Sequence, residues 1–236
     1  ADYARVPAQE DLNIPPDAAY FHICLNNTIY GTEYHYTPKT DGVPLFADMS
    51  SDILSRPWDF GSYDFIYAGV QKNLGPAGVV LNVAKKKLLE DTPAELPTMF
   101  RYATFQKNDS LYNTPPVFAI YIVGKTVRWI KEHGGLAAMG EANAKKAALL
   151  YDAIDSAEGF YRGHAEPGSR SRMNVTFRLP SEDLEKAFVA EAKEQGLAGL
   201  KGHRSVGGMR ASIYNAMPLA GVEKLAAFME EFRKKH

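Results

Sequence analysis

The sequence predicts an α/β protein in two parts. Three observations lead there. Short apolar runs bounded by turn residues recur through the first 83 residues and read as buried strands. Leu136 to Ala157, rich in Ala, Leu and Lys, reads as one long helix leaving the first part. From Phe160 onward, strand-like and helix-like segments alternate again as a second, smaller α/β unit. The division drawn is 1–134, a connecting helix over 135–158, and 159–236.

The start, Ala1 to Gln9, lacks Met, and Pro7, Pro15 and Pro16 punctuate a segment with no clear nucleus. A doubly wound domain normally opens with a strand and a Gly-rich phosphate turn, and none precedes Ala19, so a C-terminal fragment is expected. Ala18 to Leu25 is the first expected strand. Asn26 to Gly31 follows it, with Asn26 to Thr28 either a turn closing on its own backbone or polar groups facing a cofactor crevice. Leu45–Asp48, Phe65–Ala68 and Val79–Val83 are the next strands, and Ile53–Leu54 leaves room only for a small helix. Leu96 to Pro116 reads as irregular. Tyr112 to Pro116 is a turn with Thr114 as a candidate cap for a helix over Val117 to His133, which stops at Gly134-Gly135. In the second part the strands are Phe160–Gly163, Met173–Leu179 and Arg210–Tyr214. The helices are Ser181 to Gln195 and Leu219 to Lys235. Ala165 to Arg172 is polar and expected to be mobile.

With 236 residues the chain can bury a sizeable core. Its 45% hydrophobic and 23% charged residues are those of an ordinary globular protein. A net charge of -1 gives no reason to expect nucleic acid or an anionic membrane as partner. No apolar run is long enough to span a bilayer. Cys24 is the single cysteine, so no disulfide forms within the chain, which fits a reducing, cytoplasmic setting.

The chemistry is concentrated in three places. Phe65 to Ala68 runs into Gly69, Gly75, Pro76 and Gly78, a segment built for tight turning, with Lys72 inside it. A lysine projecting from a strand end among apolar neighbours loses hydration and basicity and can form an imine; on a surface it is only a solvated charge. Upstream, a strand stops at Asp48. That carboxylate can cap the following turn. Paired with Lys72 it suits pyridoxal 5'-phosphate, which needs a lysine for its aldehyde and an acid beside its ring nitrogen. His203, Arg204 and Arg210, among Gly202, Gly207 and Gly208, offer forks and backbone N–H groups to an anion, or form a solvated loop.

The runs Ala47-Asp48-Met49-Ser50-Ser51-Asp52-Ile53-Leu54-Ser55-Arg56, Tyr67 to Gly78 and His203 to Ala216 resemble the phosphoserine aminotransferases. The likeness covers the whole chain, whereas that family carries a further portion before the point where this chain begins. It implies the C-terminal part of a fold type I large domain plus a small C-terminal α/β domain. It also implies that Lys72 holds pyridoxal phosphate and moves a proton, that Asp48 holds the ring-nitrogen proton, and that Thr28 meets the phenolic oxygen. Gln71 is placed among the cofactor-binding residues. Asn113 and Thr114 reach the partner's cofactor phosphate in a homodimer with a shared active site. Arg210 clamps the substrate α-carboxylate, and His203 and Arg204 take the distal phosphate or carboxylate.

The expected reaction is transamination of 3-phosphohydroxypyruvate with L-glutamate, giving O-phospho-L-serine and 2-oxoglutarate. A catalytically incomplete fragment that dimerises or binds phosphorylated ligands is the alternative. A lyase or desulfurase of the same fold is a third reading, disfavoured by the strings around Lys72 and Arg210.

Overall fold

The computed structural model describes residues 2–90 and 92–236. Its first part is a four-stranded sheet. After the prolines, β1 (Phe21–Cys24) starts only at Phe21, since Ala18 N–H closes a turn on the Pro15 carbonyl. A two-residue ribbon of β2 (Asn26–Asn27) and β3 (Thr32–Glu33) follows. Next come β4 (Leu45–Asp48), β5 (Phe65–Gly69) and β6 (Val80–Ala84). The sheet order is β1-β4-β5-β6, with β1, β4 and β5 parallel and β6 antiparallel.

Strand alternation sorts the two faces of this sheet. Ile23, Leu45, Ala47, Ile66 and Ala68 point into a core closed by Met49, Ile53, Leu74, Ile130 and Met139. The register Cys24–Asp48–Tyr67 puts Asp48 on the opposite face, in the row next to His22, Phe46 and Phe65. Residues 51–56 form turns rather than the small helix expected there.

Beyond β6 lie two short helices, α1 (Lys86–Glu90) and α2 (Tyr102–Lys107). The second falls within the stretch read as irregular. Arg101 holds its start, donating from Nε to the Leu96 carbonyl at 2.6 Å and from a terminal nitrogen to the Ala94 carbonyl. Helix α3 (Val117–Glu132) begins at Pro116 with no side-chain cap, so Thr114 does not serve as one. Helix α4 (Gly135–Asp155) then carries the chain into the second part.

There β7 (Arg162–Gly163), β8 (Asn174–Arg178) and β9 (Met209–Ser212) form an antiparallel sheet in that order. Helix α5 (Glu182–Glu194) is capped by Ser181 Oγ, which accepts from Leu184 N–H, and α6 (Leu219–Lys235) ends the chain. A core of Phe177, Phe188, Leu225, Phe228, Met229 and Phe232 joins them to Leu150 and Ile154 of α4. Strand β7 is shorter than expected because Tyr161 is a core residue, its hydroxyl bonded to the Met229 carbonyl at 2.7 Å. In the loop Ala165–Arg172, Ala165, Ser169 and Ser171 are buried, whereas Glu166, Pro167 and Gly168 are exposed. Among the described residues no helix is long and apolar enough to cross a membrane.

Candidate active site

Lys72 sits where β5 runs out. Leu74 and Gly75 N–H both bond the Val70 carbonyl at 2.9 Å, and Val70 N–H bonds that of Val79, so the loop closes on itself. Its base is fixed by neighbours: Gly69 N–H donates to Ser50 Oγ, and buried Asn73 donates to the Ile53 carbonyl. Between these anchors the Lys72 ammonium donates to Thr28 Oγ1 at 2.6 Å. Burial lowers its pKa; among nearby charges Asp48 opposes that shift most strongly, while Arg210 adds to it. Gln71 is exposed, its side-chain amide folded back over Gly69.

Asp48 is half-buried at the end of β4, where Oδ1 accepts Ser50 N–H at 2.8 Å. It therefore closes the following turn and also acts electrostatically on Lys72. Tyr67, next to it in the sheet, bonds His22 Nε2 through its hydroxyl at 3.0 Å. Burial, then the Asp48 charge, raises the Tyr67 pKa.

Arg210 comes from the other part of the molecule, on β9. It lines a cavity of about 390 Å³ together with Tyr30, His164, Thr176, Arg178 and His203. The loop carrying His203 is tight. Gly202 N–H bonds the Gly208 carbonyl at 2.7 Å, and a Cβ at Gly202 would stand 1.9 Å from the Gly207 oxygen. Gly207 and Gly208 both have φ of 69°, so three glycines are needed to turn the chain there. Arg178 holds the loop by donating to the Val206 carbonyl. Arg204 is exposed in the turn and does not line the cavity. Asn113 and Thr114 are also exposed, on the turn before α3; Asn113 Nδ2 bonds the Thr114 carbonyl, and neither lines the cavity.

Between the two parts lies a buried polar seam. Asn26 donates to Ser51 Oγ and Asn174 Oδ1, both at 2.8 Å, and accepts from Ser171 Oγ. Glu33, 1% exposed, meets Arg56 at 2.7 Å and accepts Arg172 N–H at 2.7 Å. Asp52 is fully buried with neither carboxyl oxygen bonded, and burial raises its pKa well above the usual carboxylate range. No local pattern in the sequence marks these residues, because their partners lie far along the chain.

A mixed sheet whose parallel strands lead into a carboxylate and a lysine loop, with an arginine on a strand of a second α/β unit, is matched among known proteins. The family described as aminotransferase class-V fits residues 5–225. The chain belongs to the class-V aminotransferase family. A phosphoserine aminotransferase of Geobacillus kaustophilus is 58% identical over 235 residues, 100% of this chain and 65% of that relative. One from Desulfatibacillum aliphaticivorans is 60% identical over 228 residues, 96% of this chain and 63% of its own. The solved phosphoserine aminotransferase from Bacillus circulans subsp. alkalophilus superposes with a TM-score of 0.97 at 52% identity, over 99% of this chain and 64% of that one. The chain thus spans about 65% of the length of the first of these class-V relatives. The likeness carries the fold of such aminotransferases, a mixed α/β structure of fold type I.

Proposed function

We propose that this chain supplies the Lys72 side of a pyridoxal-phosphate-dependent aminotransferase. The reaction converts 3-phosphohydroxypyruvate and L-glutamate to O-phospho-L-serine and 2-oxoglutarate, in a cytoplasmic setting. The observation that carries this reading is the Lys72 amine, lowered in basicity and 2.6 Å from the Thr28 hydroxyl, with the Asp48 and Arg210 charges acting on it. Support comes from relatives 58% and 60% identical that bear the name phosphoserine aminotransferase. In this reading the chain divides into a large domain (1–134), the connecting helix (135–158) and a small domain (159–236).

The residues present fit the cofactor. They offer an amine for its aldehyde, a carboxylate for its ring nitrogen and a hydroxyl donor, Thr28, for its phenolic oxygen. Bound there, pyridoxal phosphate supplies an electron sink for the bonds at the substrate Cα. Desolvation keeps Lys72 closer to its nucleophilic free-base form, and the same amine can carry a proton to and from Cα. Asp48 holds a proton at the ring nitrogen. The Arg210 fork takes the α-carboxylate, with His203 and Arg204 at the distal phosphate or γ-carboxylate. Gln71 completes the cofactor residues.

Asn113 and Thr114 belong to a two-fold homodimer in which each reaches the partner's cofactor phosphate. The exposed apolar surroundings of their turn, Leu111, Val117 and Phe118, support an interface there. Sedimentation reads the dimer, and a cofactor-loaded monomer at micromolar concentration contradicts it. The main test is borohydride reduction after addition of pyridoxal phosphate, with the label expected on Lys72 and a label on another lysine ending the assignment. In single-turnover spectra, Arg210→Ala is expected to lose roughly 1.5–3 kcal/mol with both phosphoserine and glutamate. A chain that only dimerises or binds phosphorylated ligands without turnover is the second reading; Lys72 labelling with no spectral change on adding either amino acid would select it.

A further inference from the structure

Lys146, midway along α4, is 3% exposed, yet among the described residues no carboxylate pairs with it. Its Nζ donates instead to three backbone carbonyls: Ile213 at 3.0 Å, Tyr214 at 2.8 Å and Met217 at 3.1 Å. An ammonium has three protons to donate, so these oxygens saturate it. Burial pulls its pKa down to about 8, which still leaves the charged form dominant at neutral pH. A buried cation is costly, and an aliphatic side chain would fill the place without that cost. What the charge provides is a three-point hold on one segment of backbone.

That segment leaves β9, the strand carrying Arg210, and its central residue is tied in turn to the Lys72 loop. Asn215 N–H donates to Asn73 Oδ1 at 3.0 Å, one residue after Lys72. The Asn215 side chain donates to the Leu54 carbonyl at 3.0 Å and accepts from Asn143, one turn before Lys146 on α4, at 2.8 Å. Asn143 also bonds the Ser55 carbonyl at 2.9 Å. A continuous line of bonds therefore runs from α4 through residues 213–217 to the residue beside the lysine.

We propose that Lys146 is a positioning residue, its ammonium seated on the three carbonyls after β9 so that the Arg210 strand is held in fixed relation to the Lys72 loop. The proposal rests on the reading of Lys72 and Arg210 as two ends of one site. It makes the charge, rather than the volume, of Lys146 the property that matters. Arginine keeps that charge, and a neighbouring cavity of about 300 Å³, lined by Trp129, Met139 and Met217 among others, has room for a larger head.

The test compares the parent with Lys146→Met and Lys146→Arg by residue-resolved amide exchange and by calorimetric binding of glutarate, an unreactive dicarboxylate. In Lys146→Met, the Asn215 amide is expected to lose about tenfold in protection while Leu150 and Phe228 keep theirs. Glutarate affinity is expected to fall about tenfold, as a misplaced clamp would make it. Lys146→Arg is expected to restore both. Parent-like values for Lys146→Met, or an equal loss of protection throughout the second part, overturn the proposal. If Lys146→Met does not fold, Asn73→Ala breaks the line one step further on; it must weaken glutarate binding likewise, and unchanged binding overturns the proposal. A parent that binds no glutarate refutes the Arg210 reading, whereas the amide pattern still decides for or against the hold.

Discussion

At the joint between the two parts, Asn26, Asn174 and Ser171 are 1%, 0% and 0% exposed; at the start of α3, Phe118 and Val117 are 73% and 67% exposed. One region is polar and sealed, the other apolar and open. The joint tolerates its polarity because nearly every donor there has an acceptor, and such networks allow few alternative arrangements. The apolar stretch, from Met99 to Tyr121, has the opposite character. Its large exposed side chains, Met99, Phe100, Leu111, Val117 and Phe118 among them, are the surface that the homodimer proposed above would cover. Hydropathy alone would have assigned the two regions the wrong way round.

Four substitutions can break or sharpen that contrast. Arg56→Ala leaves Glu33 buried and uncompensated, and is expected to cost about 3–5 kcal/mol in denaturant unfolding. A cost near zero would mean that the joint is wetter than the packing shows. Asn26→Leu strands Asn174 Oδ1 and the Ser171 hydroxyl at once, while Ser51 keeps its bond to the residue-26 carbonyl, and is expected to cost roughly 1–3 kcal/mol.

Asp52 tests the one carboxyl in the joint that lacks a partner. Burial raises its folded pKa, so above the unfolded carboxylate value the folded chain keeps a proton that the unfolded chain has released. Stability must therefore fall as pH rises from that value towards the folded pKa, by at most about 1.4 kcal/mol per unit. Asp52→Asn is expected to remove this slope, and parallel pH profiles for the two proteins would refute it. On the open side, Phe118→Ser is expected to change unfolding stability by no more than about 0.5 kcal/mol while weakening self-association measured by sedimentation. A core-sized loss there would erase the contrast.

The sequence made the strands and long helices legible wherever punctuation was sharp. Phe65–Gly69 and Val117–Glu132 lie within a residue of expectation, because Gly and Pro bound them. Helix α2 was invisible since it is six residues long and its start is held by the Arg101 side chain rather than by any periodic pattern. The same division holds near the candidate site. Asp48 and Lys72 stand at strand ends, a position that local sequence marks. Asn26 and Asn174 are 148 residues apart, and Asn73 and Asn215 are 142, so only the folded chain pairs them. In the polar loop Ala165–Arg172 the bonds that Ser169 and Ser171 make across the joint, to Val6 and Asn26, are likewise beyond any local pattern.

Gly31 carries one consequence of that joint. Its φ is 74°, and a Cβ there would lie 2.7 Å from both the Asn174 carbonyl oxygen and Thr176 Oγ1. The first part thus touches β8 backbone to backbone, with no side chain as a spacer, and any rotation of one part towards the other at this point is blocked by main-chain atoms. In the reading proposed above, in which a substrate lies between Lys72 and Arg210, this contact fixes the distance that substrate has to span. On the same reading, ligands that differ in reach are accommodated at the His203 end by side-chain rearrangement, since close backbone packing at Gly202 and the Arg178 bond hold that loop itself in place.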